Sequence, residues 1–209
     1  MALRKIIQFF ILLFFCAFTS MGYSRQPMET LKQPISSVLM ILKDPQYKAA
    51  GKKKMQRDKI FETVRNLFDF SAITKLSLGK YRKSFTPEQL KDLIDVFTEF
   101  LGKIYINKML SEFKDEEVVY IAEDMLTEKK AIVKTSILRE KGNMTVNYRM
   151  HLHGGIWSVY DVRAEGVSLV RNYRTQFSQI LFKEKPEKLI EKLQKKIEEQ
   201  EAESNAPQP

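Results

Sequence analysis

Apolar residues recur along this chain with two different periods, and the change of period divides it. From Met28 to Lys43, Leu31, Ile35, Val38, Leu39 and Leu42 fall three and four apart, the spacing of one helical face, and Asp44-Pro45 stops that helix. A second, basic helix is expected from Tyr47 to Leu67, with Lys52-Lys53-Lys54 on its solvated side. The stretch "FDFSAITKLSLG" predicts a short helix capped by Asp69 and closed by Gly79, with Phe68, Phe70, Ile73 and Leu76 on its apolar side. Thr86, Pro87 and Gln89 then form a capping box with proline at the first helical position. The helix they start, to about Leu110, carries an ordinary stripe of Leu90, Leu93, Ile94 and Phe97. Further on, Phe100, Leu101, Ile104, Tyr105, Ile106, Met109 and Leu110 run most of the way round. Such a helix is covered on more than one face or lines something apolar.

After Lys114 the period becomes two. Val118–Glu123, Lys130–Arg139, Asn143–Leu152 and Ile156–Ala164 read as four consecutive strands, with tight hairpin turns at Gly142-Asn143 and Gly154-Gly155. The third alternates most regularly: Met144, Val146, Tyr148, Met150 and Leu152 face one way, and Thr145, Asn147, Arg149, His151 and His153 the other. Gly166 ends the fourth strand, Ser168 caps a helix, and Leu169, Tyr173, Phe177, Ile180 and Leu181 mark its buried face. A last helix runs from Pro186 to about Glu199, and residues 200–209 read as a disordered polar tail. The fold class expected is α+β: N-terminal helices, a four-stranded antiparallel meander, then C-terminal helices, with helices covering one curved sheet face.

The N-terminus sets the compartment. Arg4 and Lys5 precede Ile6–Phe18, a thirteen-residue run that is apolar but for Gln8 and is shorter than a membrane span. Small residues at Ser20, Gly22 and Ser24 suit cleavage, so residues 1–24 are expected to be a removed signal peptide and 25–199 a single α+β domain. Cys16, the single cysteine, lies inside that run, so a processed chain has no disulfide, thiol nucleophile or cysteine metal site. The full chain carries 35 basic and 26 acidic residues, a net charge of +9, which falls to +7 without Arg4 and Lys5. A basic surplus suits nucleic acid or an anionic membrane surface; export and the scattered lysines favour the membrane surface.

Candidate chemistry is sparse. His151 and His153 share a strand face but have no third ligand in sight, and read as solvated residues beside a hairpin. "HGG" at 153–155 has no Gly-x-Ser-x-Gly elbow to accompany it and reads as a turn. Asp161 and Glu165 are of a type that exchanges protons, but strand spacing puts both on the side of Trp157 and Val159 with Arg163 between them. Charge balancing by Arg163, Arg171 or Arg174 is the simpler reading. No catalytic residue and no cofactor or metal motif emerges. What is abundant is large or adaptable apolar side chains: 14 Phe, 8 Tyr and 9 Met.

Motif order is more specific than any one motif. "VLMILKDP", "FDFSAITKLSLGKY", "TPEQLKDLIDVFTEFLGKIY" and "WSVYDVRAEGVSLVRNYRTQF", behind a signal peptide, resemble the MlaC family of toluene-tolerance, periplasmic phospholipid-binding proteins, from about Met28 to Leu193. One departure stands at Arg82, where the family commonly has tryptophan. The resemblance implies a twisted sheet of the cystatin/NTF2-like kind wrapped by helices, with acyl chains between them. It implies a soluble periplasmic carrier moving one phospholipid at a time between an outer-membrane lipoprotein–porin complex and the MCE-domain component of an inner-membrane ABC transporter, and a monomer is expected. No cofactor, no bond chemistry and no nucleic acid are implied. On that basis the slot is expected to be formed by Val146, Tyr148, Met150, Tyr160 and Val162 of the sheet and Phe97, Phe100, Leu101, Ile104 and Tyr105 of the long helix, with Phe70 and Ile73 at its lip. Arg171, Arg174, Asp161 and Glu165 are expected to form a polar collar that orients the strand–helix joint or meets a headgroup. A carrier of a quinone or isoprenoid lipid, or an enzyme built on the same cavity, shares this composition.

Overall fold

Short-range hydrogen bonds fix the helix starts where the capping residues place them. The computed structural model describes residues 26–49 and 51–205, so the expected signal peptide lies outside the described residues. Helix α1 spans Pro27–Lys43, α2 Lys53–Arg65, α3 Phe70–Leu78 and α4 Pro87–Glu112. Asp69 accepts from Ala72 N at 2.8 Å to start α3. Thr86 Oγ1 accepts from Gln89 N at 3.2 Å while Gln89 Oε1 accepts from Thr86 N at 2.9 Å, a complete capping box at the head of α4. Helix α2 is shorter than the expected Tyr47–Leu67 at both ends. Pro45–Tyr47 is a separate 3-10 turn held by Asp44. At the other end Leu67 and Asp69 pair with the sheet, Val159 N donating to Leu67 O at 2.8 Å and Asp69 N to Val159 O at 2.9 Å.

Among the described residues the sheet has five antiparallel strands in the order β1-β2-β3-β4-β5, one more than expected. They are β1 Glu117–Thr127, β2 Lys130–Leu138, β3 Met144–His153, β4 Ile156–Ala164 and β5 Val167–Ser168. The added strand arises because Glu165 (φ 49°) and Gly166 (φ 79°) both adopt the left-handed turn conformation, folding Val167-Ser168 back onto β4. Between β2 and β3 the chain needs the whole stretch 139–143, longer than the two-residue turn expected at Gly142-Asn143.

The inner face of the sheet carries the pairs Val146/Ala164, Tyr148/Val162, Met150/Val159 and Leu152/Trp157. Arg149 pairs with Asp161 and Met150 with Val159, so Tyr160 is an extra, bulged residue. The bulge reverses the facing that simple alternation gives. Trp157, Val159 and Val162 share the inner face, whereas Asp161 turns outward, so Asp161 is not on the side of Trp157 as strand spacing alone implied.

Helices α5 (Leu169–Leu181) and α6 (Pro186–Asn205) complete the fold. The last helix continues six residues beyond Glu199, through the first part of the segment expected to be a disordered tail. Lys103 of α4 bridges Glu201 there and Glu99 on its own helix. Among the described residues three apolar cores form: one among the helices around Leu93, Phe97, Tyr173, Phe177 and Leu189, one under the sheet around Leu31, Val133, Met150 and Trp157, and a small one of Val38, Ile60 and Ile106. Among the described residues no helix is long and apolar enough to cross a membrane.

Candidate functional site: an apolar cleft between sheet and helices

The three cores do not meet completely, and the space between them is a cavity of about 430 Å³. That volume lies within the roughly 300–1,000 Å³ usual for ligand pockets. Five helices and the inner face of the sheet build it. Helix α1 contributes Ile35, Val38, Leu39 and Leu42, and α2 contributes Ile60, Phe61 and Val64. Leu67, Phe68, Phe70 and Ile73 close one side; Leu101, Gly102, Tyr105, Ile106 and Met109 of α4 form the next. The sheet supplies Val118, Ile137, Met144, Val146, Tyr148, Val162 and Ala164 from its inner face, and Leu169 enters from the start of α5. Glu112, Glu116 and Arg139 are the charged lining residues among those described.

Gly102 explains how α2 and α4 approach. A Cβ at this position would lie 2.7 and 2.8 Å from Phe61 Cε2 and Cδ2, so only glycine lets the Phe61 ring rest against α4. The Tyr148 and Tyr173 hydroxyls stay neutral. Burial pushes Tyr148 up to about 12, with a smaller contribution from Tyr120, against a lowering by its hydrogen bond to Thr135. Tyr173, in the helical core, is raised above the usual tyrosine range by burial and by its hydrogen bond to Tyr105, which ties the cleft wall to that core. Among the described residues no group of three or more His, Cys, Asp or Glu side chains is placed to hold a metal ion. Dispersed apolar walls with neutral hydroxyls suit sequestration of hydrocarbon.

Seven of the twelve residues expected in the slot line the cleft: Phe70, Ile73, Leu101, Tyr105, Val146, Tyr148 and Val162. Five stand elsewhere. Phe97 and Phe100 pack with Tyr173 and Phe177, the ring centroids of Phe97 lying 4.9 Å from both, and Ile104 packs against the same core. Those three fall on the side of α4 that α5 and α6 cover. Met150 is fully buried with Leu31 and Trp157. Tyr160, turned by the bulge, sits over the outer face with His151 (5.2 Å between rings) and Arg149 (5.6 Å). The walls made by α1 and α2 were not anticipated, although the unbroken stripe of Ile35, Val38, Leu39 and Leu42 is wide enough to have signalled a second apolar contact.

The expected collar occupies the joint and not the cleft lining. Asp161, 4% exposed, accepts from Ser168 Oγ at 2.9 and 2.8 Å and from Val170 N at 3.1 Å. Ser168 Oγ in turn accepts from Arg171 N at 3.1 Å, the N-cap of α5. Glu165 accepts from Thr145 N of β3. Arg174 donates from Nε to Leu76 O at 2.9 Å and lies along Gly79, closing the end of α3. Arg171 is exposed. Asp161 and Ser168 lock β4, β5 and α5 together, so Leu169 is delivered to the cleft at a fixed angle, while Glu165 ties the turn to β3 and Arg174 ties α5 to α3.

The fold and site thus define an α+β protein with an apolar ligand cleft between one sheet face and a helical layer. The family model described as MlaC protein matches residues 32–195, and the chain belongs to the MlaC family. That match spans every cleft-lining residue, from Ile35 to Leu169. The structure of a phospholipid-binding protein from Ralstonia solanacearum in complex with a phospholipid is similar, with a TM-score of 0.72 at 22% identity, covering 84% of this chain and 99% of that one. At such identity the likeness shows a common fold.

Proposed function

We propose that this protein is a phospholipid carrier of the periplasm, holding one lipid by its acyl chains in the cleft and passing it between the outer-membrane lipoprotein–porin complex and the inner-membrane MCE-domain component of an ABC transporter. The observation that carries the reading is the cleft itself: a wall of aliphatic and aromatic side chains whose charged residues are confined to Glu112, Glu116 and Arg139. Two chains of about fifteen methylenes, at about 0.8 kcal/mol each, represent roughly 24 kcal/mol of gross transfer free energy that a carrier must offset to keep a lipid out of the bilayer. Met109 and Met144 in the walls adapt to chains of different length and unsaturation. Family membership and the phospholipid seen in the Ralstonia solanacearum protein support the same ligand class.

The test is to express the chain in the periplasm of a Gram-negative host, purify it without detergent, and combine native mass spectrometry with lipid extraction. A mass surplus matching one diacyl phospholipid is expected. Leu101→Asp and Val146→Asp, which put a carboxylate into the wall, are expected to lose that surplus while keeping the wild-type circular dichroism spectrum. A surplus matching a quinone or isoprenoid lipid would overturn the assignment of ligand. An apo mass with no uptake from vesicles would overturn the carrier reading.

A further inference from the structure

The charged residues of the cleft lining gather at one end. Glu112 closes the C-terminus of α4, Glu116 lies in the turn into β1, and Arg139 follows the end of β2. Val118, Ile137 and Met144, at or next to the ends of their strands on this side of the sheet, line the cleft beside them. Two of these charges are held in place by the backbone: Glu116 Oε2 accepts from Lys114 N at 2.7 Å, and Arg139 Nε donates to Gly142 O at 3.3 Å. The C-terminus of α1 reaches the same end, since Leu39 and Leu42 line the cleft and Lys43 Nζ lies 2.7 Å from Asp115 Oδ1. That exposed pair is neutral as a unit. Lys108, Lys114 and Lys141 flank this edge in sequence but do not line the cleft.

Glu112 and Arg139, with Tyr105 and Met109, are the exposed residues of the lining, so the cleft opens to solvent at this end, and two features of the opening add in the same sense. Its lining carries two carboxylates against one guanidinium, and two helices, α1 and α4, end beside it with the negative ends of their dipoles. A group entering with a positive charge is favoured, and one with only negative charge has Arg139 alone to meet. A headgroup holding a phosphate and an ammonium a few ångströms apart satisfies both.

Resting on the carrier reading above, we propose that the mouth of the cleft selects zwitterionic aminophospholipids over anionic phospholipids with uncharged polyol headgroups, Arg139 pairing with the phosphate and Glu112 and Glu116 with the ammonium. The pairings are solvent-exposed, so the discrimination is modest: about two- to tenfold from the two carboxylates together, and weaker in high salt.

The test offers the purified full chain vesicles of equimolar phosphatidylethanolamine and phosphatidylglycerol with identical acyl chains, and quantifies the lipid it takes up. Wild type is expected to enrich phosphatidylethanolamine. The double variant Glu112→Gln/Glu116→Gln is expected to keep total uptake and lose the enrichment by about two- to tenfold. Arg139→Gln is expected to lower uptake of both lipids alike, because both carry the phosphate. A bound ratio equal to that of the vesicles, or one unmoved by the double variant, overturns this inference and leaves the carrier reading standing; uptake unaffected by Arg139→Gln overturns the phosphate assignment. Absence of both lipids from every form overturns the carrier reading instead.

Discussion

Removing the Asp161 carboxylate should loosen the joint between sheet and α5. The carboxylate is 4% exposed and takes hydrogen bonds from the Ser168 hydroxyl (2.9 and 2.8 Å to its two oxygens) and from Val170 N (3.1 Å), with Arg163 Nε at 3.9 Å. Asp161→Ala leaves two buried donors without an acceptor, at about 1–3 kcal/mol each, and the exchange leaves a small void. We expect a loss of about 4 kcal/mol, which for a domain of this size lowers Tm by roughly 8–16 °C. Asp161→Asn keeps one acceptor oxygen and should cost about 1–2 kcal/mol. Ser168→Ala removes the α5 N-cap and one donor, and a double-mutant cycle with Asp161→Ala should return a coupling of about 1.5–3 kcal/mol, since the two groups share one interaction. Urea denaturation of the four proteins measures the cycle, and hydrogen exchange should show Val170 and Arg171 amides losing protection. An Asp161→Ala variant within 1 kcal/mol of wild type, or zero coupling to Ser168, would refute the assignment of Asp161 as the lock of the joint.

Two further outcomes follow from the cleft walls. Gly102→Ala forces the Phe61 ring, 2.7 Å from the new Cβ, away from α4 and into the space it lines. Overpacking of about 1–3 kcal/mol is partly offset by about 1 kcal/mol of helix propensity, so stability should change by less than about 2 kcal/mol while lipid loading from vesicles falls. Unchanged loading would show that Phe61 yields in another direction. Tyr148 and Tyr120 are both pushed up to about 12 by burial, against about 10 in an unfolded chain. Because the folded state holds these protons more tightly, their contribution is complete below pH 10 and is lost as pH rises through 12, so the urea midpoint should fall steeply over that window. Tyr148→Phe should make that fall shallower; an equal slope in the variant would contradict the burial of its hydroxyl.

How much was legible beforehand follows from the range of the interactions involved. The starts of α3 and α4 were written locally: Asp69 and the Thr86–Gln89 box satisfy backbone donors within three residues, whatever the rest of the chain does. The facing of β3 followed from a period of two with one face buried, and this put Val146 and Tyr148 on the cleft side. Tertiary structure decided the rest. The extra residue at Tyr160 is invisible to alternation, because a bulge is defined by the partner strand it fails to match, and it moved Asp161 and Tyr160 to the outer face. Leu67 left its helix because Val159 offered a backbone partner that no local pattern specifies. Phe97 and Tyr105 sit on one helix with similar apolar character, yet α5 and α6 cover Phe97 while Tyr105 is left to the cleft. Amphipathic period marks a face as buried; which neighbour buries it, and whether that neighbour fills the space or leaves room for a ligand, depends on where elements distant in sequence come to rest.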